Sequence, residues 1–362
     1  LSGAFDRRMT KHVTIRDIAR MAKVSVGTVD RVIHKRGEVA EESYKKVVAI
    51  LEKTGYKPNL IARTLVSSKS VRIAVLLPDP KQDEYWAQSA AGIAQAEHEW
   101  AQYALELKRY HFDLYKKESF NTLAQKALKS APDGIISAPI FTKEASGFFH
   151  SCQQHNIPFV LVNNNLQSPA PLSFIGQDLY HSGMLGAELL HNGQKEPGTY
   201  AILHIYDDIH TSKYLSEKEK GFKDYFKELA DKSYRVVALD LNYTHGATLV
   251  SELSELLSSR ALRGILVTTS KGAQVVSSLL EKKGKKEIRL VAYDLLKSNI
   301  RYLKSGTIDF LINQNAKRQA IIGIKQLTNH LLFRKAAASN YLFPLEVITR
   351  KNLESYLNSE DH

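Results

Sequence analysis

The sequence predicts a chain of mixed class, α followed by α/β: a helical headpiece with a hinge helix, then a two-lobed core of parallel sheets flanked by helices. Three observations carry this. Residues 14–36, TIRDIARMAKVSVGTVDRVIHKR, read as two short helices joined by a tight turn. From Val71 onward apolar strands alternate with helical stretches, and the alternation runs through two rounds. Charge is also unevenly placed: residues 1–70 hold 15 Lys+Arg against 7 Asp+Glu, so +8 of the net +12 sits in that first fifth of the chain.

In the headpiece, Thr14 is a helix N-cap with Asp17 in the first turn, and Ile15, Ile18, Ala19 and Ala22 share one face. Val24 and Ser25 interrupt the period. Ser25 then caps a second helix with apolar Val29, Val32 and Ile33, leaving Thr28, Arg31 and Lys35 outward. This is a helix-turn-helix, and the local basic excess is where phosphate contact would need it. A third helix is expected from about Glu41 to Lys53, packing Val47, Val48, Ile50 and Leu51 inward, with Gly55 as its stop. Pro58 opens a short hinge helix with Ile61, Ala62 and Leu65 on its apolar side, and Ser67–Ser70 form a polar linker. The expected divisions are a headpiece at 11–57, a hinge and linker at 58–70 and a core at 71–362.

The segments VTIRDIARMAKVS, GTVDRVI, YKKVVAILEKTGYKPN and NLIARTL, in that order and spacing, resemble the DNA-binding headpiece of the lactose-repressor (LacI/GalR) family. The resemblance implies a dimeric transcription regulator, a repressor, on a pseudo-palindromic double-stranded operator. It implies base reading by Val26, Gly27 and Arg31, with Thr28 in the same turn, and phosphate contacts from Thr14 and Ser25. Arg31 can fork onto guanine O6 and N7, Val26 can meet a thymine methyl, and Gly27 reads nothing by itself. Asn59, Ala62 and Leu65 belong to a hinge that in the family folds when two copies meet over the minor groove. Leu65 is then a wedge between base pairs or, alternatively, a plain linker-helix core residue. Three positions depart from the family pattern. Asp30 replaces a serine, and either accepts from a cytosine amine or salt-bridges within the protein. Lys23 stands where glycine is common, which is strained if its φ is positive, and Ala40 replaces a serine cap.

In the core, strands are expected at 72–78, 106–112, 134–138 and 158–163, and, after Phe174, near 200–205, 235–239, 264–268 and 289–292, with helices between. The pieces VRIAVLLPDP, DGIISAP, NIPFVLVNNN, FIGQDLYHSGMLGAELL, LVAYD and GTIDFLINQNAKRQAIIGIKQL resemble the periplasmic sugar-binding-protein fold, of the ribose-binding type. That fold crosses between its lobes three times, expected near 175, 309 and 338. Lobe 1 would be about 71–175 and 310–337, and lobe 2 about 176–309 and 338–358. The effector, a carbohydrate or a derivative of one, would lie between them. Tyr85 and Trp86 either stack on a sugar face or pack the first helix. Asn163, Asn164, Asp178, Asp294 and Gln314 end strands, where amides and carboxylates meet hydroxyls; the acids serve equally well as helix N-caps. Lys218 stands where the family usually has arginine, keeping charge without the bidentate fork, and Thr269-Ser270 replaces the usual Asn-Asp.

Other classes find little support. Cys152 is the only cysteine, so no intrachain disulfide is expected, and no segment has the run of some eighteen apolar residues that a membrane span needs. The start LSGAFDRR lacks a signal-peptide run, and a cytoplasmic protein is expected. There is no GxGxxG after a strand, no GxxxxGK[ST] and no nucleophile elbow, so neither cofactor nor enzymatic activity is expected. His204, Asp207, Asp208 and His210 look superficially like metal ligands but read as polar loop residues. A transport solute-binding protein, or a sugar-binding module without a DNA role, would have no use for residues 13–69.

Overall fold

The computed structural model describes residues 14–34, 37–54, 70–206, 213–242 and 245–358. The chain divides into two compact units, the first ending at Ser68 and the second beginning at Lys69. The hinge candidates Asn59, Ala62 and Leu65 lie outside the described residues, as do Lys35, Gly55 and Pro58.

The first unit contains α1 (Ile15–Ala22), α2 (Val26–His34) and α3 (Glu41–Thr54). Thr14 and Asp17 form a capping box: Thr14 Oγ1 accepts from the Asp17 amide at 3.2 Å, and the Thr14 amide donates to the Asp17 carboxylate at 3.0 Å. Lys23 closes α1 with φ 54°, the left-handed conformation that disfavours a side chain, so its departure from glycine does fall on a strained position. Ile18, Ala19, Ala22, Val29, Val32 and Val47 make the small core. Ala40 offers no side-chain acceptor, and α3 starts on the backbone bond from Tyr44 N–H to the Ala40 carbonyl.

The second unit holds two six-stranded sheets. Its strands are β1 (Val71–Pro78), β2 (Leu105–Phe112), β3 (Gly134–Ser137), β4 (Phe159–Val162), β5 (Ser173–Gly176), β6 (Gly198–Tyr206), β7 (Tyr234–Asn242), β8 (Leu262–Val267), β9 (Arg289–Tyr293), β10 (Phe310–Asn313), β11 (Asn340–Leu342) and β12 (Glu346–Ile348). The first sheet runs β11-β5-β4-β3-β1-β2, with every pair parallel. The second runs β12-β10-β9-β8-β6-β7, parallel except for β10 against β12. Between the strands come α4 (Glu84–Trp100), α5 (Lys117–Lys129), α6 (Thr142–Gln154), α7 (Leu179–Asn192), α8 (Lys213–Glu228), α9 (Gly246–Ser258), α10 (Gly272–Lys283) and α11 (Lys297–Ser305). Then follow α12 (Ala316–Phe333) and α13 (Leu353–Leu357). Strands such as β1, buried from Ile73 to Pro78, are apolar through their length because helices cover both faces.

The crossings differ from those expected. β10 belongs to the second sheet, so the chain returns to the first lobe at 314–315, where α12 begins, and not near 309. β11 adds to the first sheet beside β5, which moves the last crossing from 338 to 343–345. The first crossing lies at 177–178, between β5 and α7. Residues 310–313 therefore move to lobe 2, and 338–342 to lobe 1. One side chain joins all three connections: the buried Gln177 donates from Nε2 to the carbonyls of Asn313 and Pro344, each at 2.9 Å.

Glycines let the first helix of each lobe lie backbone to backbone on a neighbour. A Cβ on Gly92 of α4 would sit 2.1 Å from the Lys317 carbonyl oxygen of α12, and one on Gly183 of α7 would sit 1.9 Å from that of Lys218 in α8.

Candidate functional site

Two surfaces carry candidate chemistry, one on each unit. On the headpiece, Ser25 Oγ accepts from the Thr28 amide at 3.1 Å and lies 2.9 Å from the Thr28 hydroxyl. That cap starts α2 at Val26, which is 43% exposed although apolar. Gly27 is exposed too, and a methyl there would meet no atom nearer than 3.7 Å, so packing does not require glycine. Arg31 is exposed one turn on; its Nε donates to the Gly27 carbonyl at 3.3 Å, leaving the two terminal nitrogens for another partner. Asp30 is half-buried and already engaged within the protein.

In the core, strand ends from both sheets converge on a cavity of about 110 Å³. Tyr85, Trp86, Asn163 and Asn164 line it from lobe 1, and Lys218, Thr269 and Gln314 come from α8, the turn after β8 and the second crossing. Tyr85 and Trp86 pack edge to face at 5.0 Å in the lobe 1 core, as one of their two expected roles requires, and they also line the cavity. Asn163 turns at φ 67°; its Nδ2 donates to Tyr85 OH at 2.6 Å, and its amide donates to Gln319 at 2.9 Å. Asn164 is 7% exposed, and its Oδ1 has no hydrogen-bond donor.

Asp294 is not in the lining. It sits just behind at 1% exposure and accepts from Ser270 Oγ, from Gln314 N–H at 2.9 Å and from Gln314 Nε2 at 2.7 Å. Burial pushes its carboxyl up, against those bonds and the nearby Lys218 charge. The residue positions Ser270 and Gln314. Asp294→Ala would strand two Gln314 donors and is expected to destabilise the protein by about 1–3 kcal/mol, read as a lower Tm. An unchanged Tm would show that the network contributes nothing.

Asp178 is used as an N-cap: it accepts from His181 N–H at 3.0 Å and lies 2.8 Å from His181 Nδ1. Burial opposes its charge, but the His181 bonds outweigh that and hold its pKa below the usual carboxylate range. It faces a neighbouring cavity beside the first crossing and does not line the main one.

Lys218 carries the least expected electrostatics. It is 1% exposed, with Nζ 3.5 Å from the centre of the Tyr293 ring and 3.4 Å from the Thr268 carbonyl to which it donates. Burial pushes its pKa down to about 7, against the attraction of Asp294. With the charged form disfavoured, this lysine withholds stability in full below about pH 7 and restores it as pH rises toward the ordinary lysine range.

Sequence reasoning missed Asp83, Tyr115 and Lys271, all in the lining. Asp83 caps α4 by accepting from Tyr85 N–H at 2.8 Å, and burial raises its carboxyl. Lys271 Nζ reaches across the cleft to Tyr115 OH at 3.4 Å. Gln88 Nε2 to the Leu295 carbonyl, at 3.2 Å, and the Lys297 amide to Glu84, at 3.1 Å, are further bonds between the lobes. His204 is no loop residue. It lies in β6 at 2% exposure, 2.8 Å from Thr268 Oγ1 and 3.0 Å from Glu219, while Asp207, Asp208 and His210 lie outside the described residues. Among the described residues no cluster suits a metal ion, and no helix is long and apolar enough to cross a membrane.

Comparison with known proteins finds a match for each unit. Residues 14–59 match the description "Bacterial regulatory proteins, lacI family", and residues 73–335 match "Periplasmic binding protein domain". A ribose operon repressor of Halalkalibacterium halodurans is 23% identical over 352 residues, which is 96% of this chain and 99% of that protein. The transcriptional regulator MalR of Streptococcus pneumoniae is 30% identical over 164 residues, 44% of this chain and 48% of MalR. Among solved structures, a LacI transcriptional regulator from Bacteroides fragilis superposes with TM-score 0.75 at 26% identity, over 80% of this chain and 100% of that one. GanP, a glucose-galactose binding protein from Geobacillus stearothermophilus, shares the fold at TM-score 0.68 and 21% identity, over 79% and 99% of the two chains. The chain belongs to the periplasmic-binding-protein domain family, whose description matches residues 73–335, and carries a lacI-family regulatory domain at residues 14–59.

Proposed function

We propose that the protein is a transcriptional repressor that acts in the cytoplasm as a homodimer on a pseudo-palindromic operator, and that a carbohydrate or carbohydrate derivative held between the lobes sets its operator affinity. The observation that carries this reading is the cavity, lined by strand ends of both lobes, in a chain with a lacI headpiece. A molecule that fills it touches both lobes and so favours one lobe angle over others, which is the differential affinity an allosteric effector needs. The repressor and sugar-binding names of the relatives support the carbohydrate class. Two copies would place two α2 helices on successive major-groove half-sites, with Val26, Thr28 and Arg31 toward the bases and Thr14 and Ser25 toward phosphate.

The test uses the full-length protein on an operator found by in vitro selection, with fluorescence anisotropy at fixed salt. The expected result is selective binding to a two-fold symmetric site, and an affinity change of about tenfold or more, roughly 1.4 kcal/mol, on adding one member of a sugar panel. Duplex binding without sequence preference would remove the regulator reading. Selective binding that no sugar changes would remove the carbohydrate reading alone.

A further inference from the structure

The lining of the cavity contains two lysines and one carboxylate, and the acids are already occupied. Asp83 accepts from the Tyr85 amide, and Asp294 behind the wall accepts from Ser270 and from two donors of Gln314. Lys271 is held at the cleft by Tyr115. Lys218 differs from all of these. Its ammonium is buried, has no carboxylate within ion-pair distance among the described residues, and meets only a ring face and one carbonyl at 3.4 Å. A buried cation with spare donors is costly unless something anionic completes it. The hydroxyls of a neutral polyol could accept from its spare donors, but only an anionic oxygen would also balance the charge. In the same lining, the buried Asn164 Oδ1 has no donor, and the aromatic pair of Tyr85 and Trp86 offers an apolar wall. Those features suit the hydroxyls and C–H faces of a small polyol, and a cavity of about 110 Å³ restricts its size.

We propose that the effector is an anionic sugar, a sugar acid or a sugar phosphate, whose anionic oxygen is held by Lys218 while a hydroxyl donates to Asn164. This rests on the effector reading above and names its chemical class. The amine of Lys218, pushed down to about 7 by burial, is mostly neutral in the free protein at pH 8. An anion beside it restores the charge, so binding takes up a proton there. Other ionisable groups facing this region are Asp83, Asp294, Lys271 and His204 with its Glu219, so the proton has to be assigned by substitution.

The experiment is calorimetric titration of the full-length protein at pH 7, 8 and 9, in buffers of different ionisation enthalpy. The ligands are five- and six-carbon aldonates, uronates and sugar phosphates, each with its neutral parent sugar. Expected are an anionic member at least about tenfold tighter than its parent, uptake of close to one proton at pH 8, and affinity falling up to about tenfold per pH unit above 7. Carboxylate and phosphate members separate the two sources of the anion. Lys218→Arg should retain anion binding and lose the proton uptake, because arginine stays charged. Lys218→Met, checked for folding by its Tm, should lose anion binding about 100-fold. Neutral sugars binding as tightly as their acids, undiminished binding in folded Lys218→Met, or no anionic ligand binding at all would each overturn the proposal. Operator selectivity in the same preparation reports separately on the regulator reading.

Discussion

Arg31→Ala is expected to weaken operator binding by about 1–3 kcal/mol for each headpiece engaged, and to do so by erasing preference for one base rather than affinity for duplex DNA in general. The geometry explains why this residue and not a neighbour should carry the discrimination. Val26 can offer only methyl contact, Gly27 has no side chain, and Ser25 and Thr28 already bond to each other. Arg31 is the remaining long polar group on the exposed first turns of α2, steadied by the Gly27 carbonyl with its fork free. With two headpieces on a symmetric site the losses add, so a ten- to hundredfold change per half-site becomes its square. Anisotropy against the selected operator and a scrambled duplex, across a salt series, checks this. The ratio of the two affinities should collapse while the salt slope changes by about one or less. If the ratio persists, α2 is not the reading helix.

The second large effect is on the core. Gly183→Ala places a methyl where the Lys218 carbonyl oxygen lies, 1.9 Å from the new carbon, and the reciprocal contact of Gly221 with the Tyr180 carbonyl is equally close. Neither atom is a flexible side-chain end, so α7 and α8 must move apart. An overpacking cost of about 1–3 kcal/mol is expected, at about 2–4 °C in Tm for each kcal/mol. Effector affinity should fall with it, because α8 carries Lys218 into the cavity. Gly147→Ala is the control: its Cβ meets nothing within 4 Å, and in mid-helix alanine should be neutral or stabilising by up to about 1 kcal/mol. Thermal unfolding of the two variants side by side decides the matter; equal melting would mean the close helix crossing is absent.

Most of the architecture was legible because each element announces itself locally. The Thr14 capping box, the apolar strands and the helices between them follow from neighbours a few residues apart. What was not legible is non-local. Phe310–Asn313 reads as a strand in any sheet, and nothing within four residues says that it joins β9 and not the first lobe. In the site, polar residues just after apolar strands pointed to Asn163, Asn164 and Gln314, and all three line the cavity. The same signal also selected Asp178, where a histidine three residues on makes the N-cap use the better one. Asp294 stands behind the lining, a placement not legible locally because its three donors come from residues 20 and 24 positions away. Lys218 lies in KYLSEKEKGFKDYF, a stretch whose charge density looks like a solvated face; the family resemblance singled it out, and its burial to 1% exposure was not legible locally.

The carboxamide of Gln177 has a mechanical consequence. Three connections of different length could each flex in their own way, and two lobes so joined could tilt, twist and slide. A single buried amide that donates to Asn313 and Pro344 ties the three strands of that joint together, and the Asn313 side chain adds a bond to Glu346 at 3.0 Å. Tilt about that joint is expected to be the softer coordinate, since it spares the Gln177 bonds and breaks only those across the cleft, whereas twist and slide would strain both. A molecule seated in the cleft can thus be registered as one number, an opening angle. Any output that depends on lobe orientation inherits that single variable.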